Sequence, residues 1–127
     1  MRVLGTYSTQ VYGALRKALD LRKFSIESVY NGSSFRIIGR GNYTNIYIRL
    51  ENRNNINCVN FSSISIDEKL QRTGILTTLV NEVSKQPAVG AIIIGSVCTE
   101  EMRNWCKKNR YDQIGYGTDF IKIIHSK

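Results

Sequence analysis

The chain has 127 residues, three cysteines, one histidine and a formal net charge of +8. This length predicts one domain, residues 1–127, with a single core, and the three cysteines without a Cys-x-x-Cys pair argue against a disulfide framework or a zinc site. No apolar run approaches the roughly 20 residues of a membrane span, and the N-terminus lacks a secretion-signal pattern. We therefore expect a soluble, cytoplasmic protein that binds no membrane and no metal.

Positive charge is concentrated in the first half of the sequence. Residues 1–66 carry nine lysines and arginines against three acidic residues, whereas residues 67–127 carry nine against seven. A basic surface attracts acidic partners such as nucleic acid, an acidic protein or the phosphates of a nucleotide cofactor. The same charge is also an ordinary means of keeping a protein in solution, so both interpretations stay open.

The hydrophobic pattern predicts alternating strands and helices from the N-terminus onward. Arg2–Tyr7 is predicted as a short first strand, and a helix that Ser8 or Thr9 would cap follows it and ends near Asp20. Asn31-Gly32 predicts a hairpin between two short strands, because both residues tolerate a positive φ.

A half-buried strand over Tyr43–Leu50 and an asparagine-rich turn over Asn52–Asn55 lead into a long strand, Ile56–Ile66. The apolar residues of this long strand fall into pairs that face one way, then the other, then the first way again: Ile56 with Cys58, Val59 with Phe61, and Ile64 with Ile66. The strand is therefore either buried on both faces or re-aimed midway by a bulge.

The second half predicts two helices around a central strand. A one-sided apolar stripe marks the first helix, which Gln86-Pro87 ends: Ile75, Leu76, Leu79, Val80 and Val83. The uncharged stretch 89–95 is typical of a central parallel strand. Thr99 can cap the second helix, and two strands near Asp112–Tyr116 and Asp119–His125 complete a mixed sheet.

The most informative segment is the loop Gln71–Leu76, which lies between the long strand and the first of these helices. The first turn of a helix has about four backbone N–H groups without partners, and the helix dipole adds partial positive charge. Gly74 lets a ligand approach the backbone, and Arg72 adds a cation. The loop therefore predicts a phosphate site.

Gln-x-x-Gly-x followed by a small residue, after a strand and opening a helix, resembles the pyrophosphate-binding motif of the GNAT-type N-acetyltransferases, the acyl-CoA N-acyltransferase superfamily. Leu76 stands where that family usually has Gly or Ala. The resemblance covers residues 56–124 and includes the corner Lys108–Tyr111, which is similar to a Lys-x-Gly-Phe-like corner. It implies an α/β fold whose mixed sheet is mostly antiparallel, with a central parallel pair flanked by helices.

The resemblance also implies acetyl-CoA, or another acyl-CoA, as co-substrate. Its pyrophosphate would lie on the loop, and its amide-bearing arm would lie along a bulged strand at Ser63–Ile66. The cofactor-binding residues implied in this way are Ser63, Ile64, Ser65, Ile66, Gln71, Arg72, Thr73, Gly74, Ile75, Leu76 and Thr99.

The catalytic positions depart from the family pattern. Thr99 stands where the family has an asparagine that contacts pantetheine, and Cys106 stands where it has a tyrosine that donates a proton. A thiol can protonate a thiolate, although Cys106 on an apolar helix face also fits a packing role. Tyr111 and Tyr116 are the alternative proton donors. The base stays open among Glu51, Asp67, Glu68 and water.

Three functions remain open at this point. The first is an enzyme that transfers an acetyl group to an amine by direct attack in a ternary complex. The second is a binding module of the same fold that has lost catalysis and binds nucleic acid or an acidic protein. The third is a sensor that binds a small molecule without turnover. The sequence identifies neither the acceptor nor the oligomeric state.

Overall fold

The structure is a computed structural model that describes residues 3–115 and 117–124. Its elements follow in chain order: α1 (Val3–Ala18), β1 (Phe24–Val29), β2 (Ser34–Gly39), β3 (Asn45–Arg53), β4 (Ile56–Ser65), a 3-10 turn (Glu68–Leu70), α2 (Ile75–Ser84), β5 (Ala91–Ile94), α3 (Glu100–Lys108), β6 (Asp112–Ile114) and β7 (Asp119–Ile123).

One seven-stranded sheet has the order β1-β2-β3-β4-β5-β7-β6. Only β4 and β5 pair in parallel, and every other neighbouring pair is antiparallel. This arrangement confirms the predicted mixed sheet with a central parallel pair.

The N-terminal strand prediction is wrong. Residues 3–7 begin α1 instead, and Arg2 lies outside the described residues. Among the side chains that the structure describes, Tyr7 is the first member of the buried helical stripe that Val11, Ala14 and Leu15 continue, so its contacts have the period of a helix. Tyr7 therefore extends the stripe by one turn toward the N-terminus. The hairpin about Asn31-Gly32 is confirmed, since β1 and β2 are antiparallel neighbours.

The main core lies between one face of the sheet and the helices. It contains buried residues of α1, α2 and α3 together with Phe35, Ile48, Phe61 and Ile94 from the strands. A smaller cluster, centred on Cys58, Ala91 and Ile93, is separate from it. Among the described residues, no helix is long and apolar enough to cross a membrane, and no cluster of three or more side chains is suited to hold a metal ion.

The predicted bulge is present in β4. Tyr47 of β3 pairs with Ser63 and Ile48 pairs with Phe61, so Ser62 is the extra residue. The extra residue makes the side chains that follow it point to the opposite face of the sheet from the one that simple alternation predicts. Ile64 and Ile66 therefore join the main core on the side of Phe61, and the prediction that they return to the face of Ile56 is wrong.

The two parallel strands separate at their carboxyl ends. Their pairing stops at Phe61 opposite Ile94, followed by one hydrogen bond in which Gly95 N–H donates to the Phe61 carbonyl at 2.9 Å. β4 continues to Ser65 while the chain after Gly95 turns away. A gap thus opens in the middle of the sheet, directly before the loop Gln71–Leu76. The predicted strand ends at Tyr116 and His125 lie outside the described residues.

Candidate functional site

A groove of about 950 Å³ opens beyond the point where β4 and β5 separate. Its wall comprises Ile64–Ile66, Leu70–Arg72, Gly74–Thr77 and six residues between Thr99 and Lys108. Nine of the eleven residues implied as cofactor contacts are in this wall. The other two, Ser63 and Thr73, lie beside it in sequence but do not line it.

The loop at one end of the groove has an unusual backbone. Arg72 and Gly74 both have positive φ, of 67° and 83°. In the part of the chain that the structure describes, no acceptor is within hydrogen-bond distance of the N–H groups of residues 74–77. The first bond of α2 begins only at Thr78, whose N–H donates to the Gly74 carbonyl at 2.8 Å. The loop therefore presents a row of free donors to the groove.

Side-chain contacts hold this loop in place. The Gln71 Nε2 donates to the Ile66 carbonyl at 3.0 Å and ties the loop to the end of β4. The Asp67 carboxylate accepts from the N–H groups of Lys69 at 3.0 Å and Tyr43 at 2.8 Å. The hydrogen bond from Tyr43 N–H, and then that from Lys69, lowers the pKa of Asp67. The glutamine of the motif thus has a structural task here.

Two exposed charges meet at the edge of the groove. The Arg72 Nη2 lies 3.5 Å from the Glu101 Oε2, and the two side chains are 86% and 65% exposed. An exposed pair of this kind contributes about 0–1 kcal/mol to stability. Part of the positive charge that Arg72 brings to the loop is therefore offset by Glu101.

The other wall of the groove comes from α3. Thr99 begins this helix, as predicted, and its Oγ1 accepts from Met102 N–H at 3.1 Å. The Trp105 Nε1 donates to the Thr77 Oγ1 at 3.2 Å and joins α3 to α2. Met102 and Trp105 also pack against the main core, and the sequence pattern did not single out Thr77. The groove is a tertiary feature, and no local signal in the sequence marks these three residues as its wall.

The two candidate proton donors, Cys106 and Tyr111, do not line the groove. Cys106 is fully buried in the core, and burial raises the pKa of its thiol to about 11. Tyr111 is 5% exposed, and its hydroxyl has no hydrogen-bond partner among the described residues. Burial, and then the neighbouring Cys106, raises the pKa of Tyr111. Its ring centroid lies 5.5 Å from that of Trp105, which does line the groove. Tyr116 lies outside the described residues.

The carboxylates considered as bases also lie off the groove. Glu51 accepts three hydrogen bonds or ion-pair contacts at 3.0 Å each, from Arg49, Arg53 and Asn60. Asp67 holds the loop, as described above. Glu51 and Asp67 therefore have structural partners that occupy their oxygen atoms.

Known proteins resemble this chain in structure and not in sequence. The sequence matches no family model and no curated protein. The fold does match: Ard1 from Thermoplasma volcanium superposes with a TM-score of 0.52 at 12% identity, covering 76% of this chain and 74% of that one. The chain has the GNAT-type N-acetyltransferase fold.

Other GNAT-type structures are similar at lower scores. An AtaT toxin variant bound to the C-terminus of the antitoxin AtaR and acetyl-CoA has a TM-score of 0.47 and 16% identity, covering 72% of this chain and 67% of that one. Arabidopsis thaliana Naa50 in complex with a CoA-containing bisubstrate analogue has a TM-score of 0.47 and 17% identity, covering 74% and 72%. The GNAT-type fold inferred from the motif is thus confirmed by the three-dimensional comparison with Ard1.

Proposed function

We propose that the protein binds acetyl-CoA, or another acyl-CoA, in this groove and transfers the acyl group to an amine. The observation that supports the proposal most directly is the row of N–H groups at residues 74–77, which have no acceptor among the described residues and belong to residues that line the groove. A pyrophosphate would accept from these donors, and the N-terminus of α2 would favour its negative charge.

The end of β4 supplies the second part of the binding site. Beyond Phe61 this strand has no β5 residue beside it, so Ile64 and Ser65, which line the groove, have no neighbouring strand on that side. The Ile66 carbonyl, which follows them, already accepts from Gln71 Nε2. The pantetheine arm carries two amides and would add to this open edge by strand-like hydrogen bonds. The groove volume of about 950 Å³ is at the upper end of the range for ligand pockets, which suits a long co-substrate.

The proposed reaction is direct transfer in a ternary complex. The nitrogen of a neutral amine attacks the thioester carbonyl, the carbon–sulfur bond breaks, the thiolate takes a proton and the amine loses one. Tyr111 and Cys106 remain the candidate donors, because both are neutral at physiological pH. Tyr111 is the better placed of the two, because it contacts Trp105 in the groove wall. The base in this proposal is water, given the structural partners of Glu51 and Asp67.

A second candidate function is a binding module that has lost catalysis. The observation that favours it is the position of Cys106 and Tyr111 outside the groove wall. Such a module would bind the acyl-CoA without releasing its thiol, and the basic half of the chain would bind nucleic acid or an acidic protein. A small-molecule sensor would show the same behaviour without the acidic partner.

Thermal unfolding with and without acetyl-CoA tests the proposal. Ligand at 100 times its Kd adds about 2.7 kcal/mol to the free energy of unfolding, which gives a readily measured rise in melting temperature. Release of the CoA thiol in the presence of a panel of amines then separates enzyme from binding module. An unchanged melting temperature at millimolar acetyl-CoA contradicts the proposal, and stabilisation without thiol release favours the module or the sensor.

A further inference from the structure

The chain leaves β5 through a residue in an unfavourable backbone conformation. Ser96 has a φ of 55°, a left-handed value that is unfavourable for a residue other than glycine. It lies two residues after Ile94, the last residue of β5, where β4 continues without a β5 residue beside it. Because serine does not favour this conformation, the surrounding fold must hold it.

Asp119, the first residue of β7, supplies the restraint. Its Oδ1 accepts from Ser96 N–H at 3.1 Å. The next amide, Val97 N–H, donates to the Thr118 carbonyl at 2.8 Å. Both bonds join the chain after β5 to the β7 side of the sheet. They therefore direct the chain away from β4 at the point where the gap opens.

The turn at Ser96 follows a very close approach of the two strands. A Cβ atom at Gly95 would lie 3.3 Å from the Ser62 Cα, so the chain at Gly95 is still packed against the bulge of β4. Three residues after Ser96, Thr99 begins α3 and lines the groove opposite Ile64–Ile66. The direction that the chain takes at Ser96 thus sets the width of the gap.

We infer that Asp119 is a positioning residue: by holding Ser96 in the left-handed conformation, it keeps the gap between β4 and β5 open for the acyl-bearing end of the co-substrate. The inference rests on the proposed acyl-CoA function. Asp119 acts here through the backbone of Ser96 and is not assigned a contact with the reacting atoms.

The experiment compares acetyl-CoA binding by calorimetry in a set of full-length variants. Asp119→Ala removes the acceptor, and we expect about tenfold weaker binding, equivalent to the ~1.4 kcal/mol that the left-handed conformation would cost without its partner. Asp119→Asn keeps an oxygen acceptor and should bind within about twofold of the wild type. Asp112→Ala, which changes an exposed aspartate of β6, is the control for loss of a carboxylate in the same hairpin.

The decisive variant combines Asp119→Ala with Ser96→Gly. Glycine adopts the left-handed conformation without a restraint, so the double variant should recover most of the lost affinity. A role limited to stability would not produce this recovery, and neither would a direct effect of the carboxylate charge. Should Asp119→Ala fail to fold, the test rests on Asp119→Asn and the double variant, both of which should bind like the wild type.

Other results would contradict either the positioning role of Asp119 or the proposed function. Wild-type affinity in Asp119→Ala, equal losses in Asp119→Ala and Asp119→Asn, or no recovery in the double variant would overturn the positioning role. Absence of binding in the wild type would overturn the proposed function instead, and the positioning role with it. The two failures are therefore distinguishable.

Discussion

The loop at the start of α2 and the region around α3 differ in how well each suits acyl transfer. At the loop end, residues 74–77 present N–H groups that have no acceptor among the described residues, and the backbone there is left-handed at Arg72 and Gly74. Behind the wall that α3 forms, the Cys106 thiol and the Tyr111 hydroxyl are buried and do not line the groove. The candidate groups for binding a phosphate line the groove, whereas the candidate groups for proton transfer are in the core.

This difference follows from the kind of interaction that each end uses. A phosphate is bound by backbone geometry, which survives wide changes of side chain as long as the loop keeps its shape. Proton transfer needs one side chain at hydrogen-bond distance from the reacting atom. A chain of this fold can therefore keep the shape of such a loop while the side chains around the groove change.

Gly74→Glu should break the loop end and give the largest effect on binding. A carboxylate beside the pyrophosphate repels it, and the residue must also adopt a φ of 83° that favours glycine. We expect acetyl-CoA affinity to fall at least about 100-fold in a calorimetric titration, since like charges about 4 Å apart near a protein surface repel by ~4 kcal/mol.

Gly41→Glu is the matched control for this variant. Gly41 has a φ of 73° and open space around its Cα, as Gly74 does, but it does not line the groove. The control should lose stability and keep its affinity for acetyl-CoA. Equal affinity of Gly74→Glu and the wild type would show that the loop does not bind the pyrophosphate.

Cys106→Ala tests whether Cys106 serves only to pack the core. The side chain is fully buried, so its removal should lower the free energy of unfolding by about 1–2 kcal/mol and leave acetyl-CoA affinity and CoA-thiol release unchanged. Thermal unfolding and thiol release measure the two effects separately. A loss of turnover of about 10²-fold at an unchanged melting temperature would identify Cys106 as the proton donor instead.

The pH dependence of stability provides a second measurement on Cys106. Its pKa is about 11 in the folded protein against a reference of 9.0, because burial disfavours the thiolate. The folded state thus holds the proton more tightly, so the stabilisation is complete below pH 9 and is lost as the pH rises toward 11. Cys106→Ala should therefore lose less stability than the wild type between pH 9 and 11.

The exposed Cys98 supplies the control for the pH series. Cys98→Ala, which removes an exposed thiol, is measured in parallel as the control for loss of a cysteine. Parallel curves for Cys106→Ala and the wild type would mean that the thiol ionises without cost in the fold.

The features that the sequence predicted correctly depend on local backbone chemistry. Asn31-Gly32 marks a hairpin because of its tolerance of positive φ, Thr99 marks a helix start through its hydroxyl, and Pro87 marks a helix end. The position of the loop Gln71–Leu76 at the start of α2 belongs to the same class, whereas its binding of a phosphate stays a prediction. Each of these signals lies within a few residues of the structure that it specifies.

The features that were missed depend on contacts between distant segments. Whether Tyr7 extends a helix or ends a strand is decided by the core that it enters, and the face of Ile64 is decided by where the bulge falls against β3. Ser96 carries no sequence signal of a left-handed conformation, because the restraint comes from Asp119, 23 residues away. The positions of Cys106 and Tyr111 relative to the groove are likewise tertiary.

The basic residues in the first half of the chain lie outside the groove wall, and their role in binding an acidic acceptor can be tested separately. We predict that exchanging Arg16, Lys17, Arg22 and Lys23 for Gln weakens binding of an acidic acceptor about fivefold at low salt, because it removes four attractive charges. The loss should be smaller at higher salt, since exposed charges more than about 10 Å apart are largely screened at 0.1 M. The effect should be modest, since Lys17 lies 3.7 Å from Glu82 and Arg22 lies 3.1 Å from Asp20. Binding of tRNA, duplex DNA and an acidic peptide at two salt concentrations measures it.

Lys107 and Arg110, near the end of α3, are the control residues, because they are basic and lie in the other half of the sequence. Their exchange for Gln should change binding of the acidic acceptor by less than the four-residue exchange does. Absence of binding to all three probes, or binding that neither salt nor the exchange weakens, would leave the basic charge with a role in solubility only.

Glu101→Gln should give the smallest effect, and it acts in the opposite direction to Gly74→Glu. The Glu101 carboxylate lines the groove and lies 3.5 Å from Arg72, so it offsets part of the positive charge beside the loop. Its neutralisation should release Arg72 toward the phosphates and strengthen acetyl-CoA binding two- to fivefold, since exposed charges interact by about 1 kcal/mol or less. Glu100→Gln, one residue away and outside the wall, is the matched control. Because both side chains of the pair are exposed, the gain should disappear at 1 M salt, where the Debye length is about 3 Å. Weaker binding in Glu101→Gln would show that Glu101 holds Arg72 in its binding position.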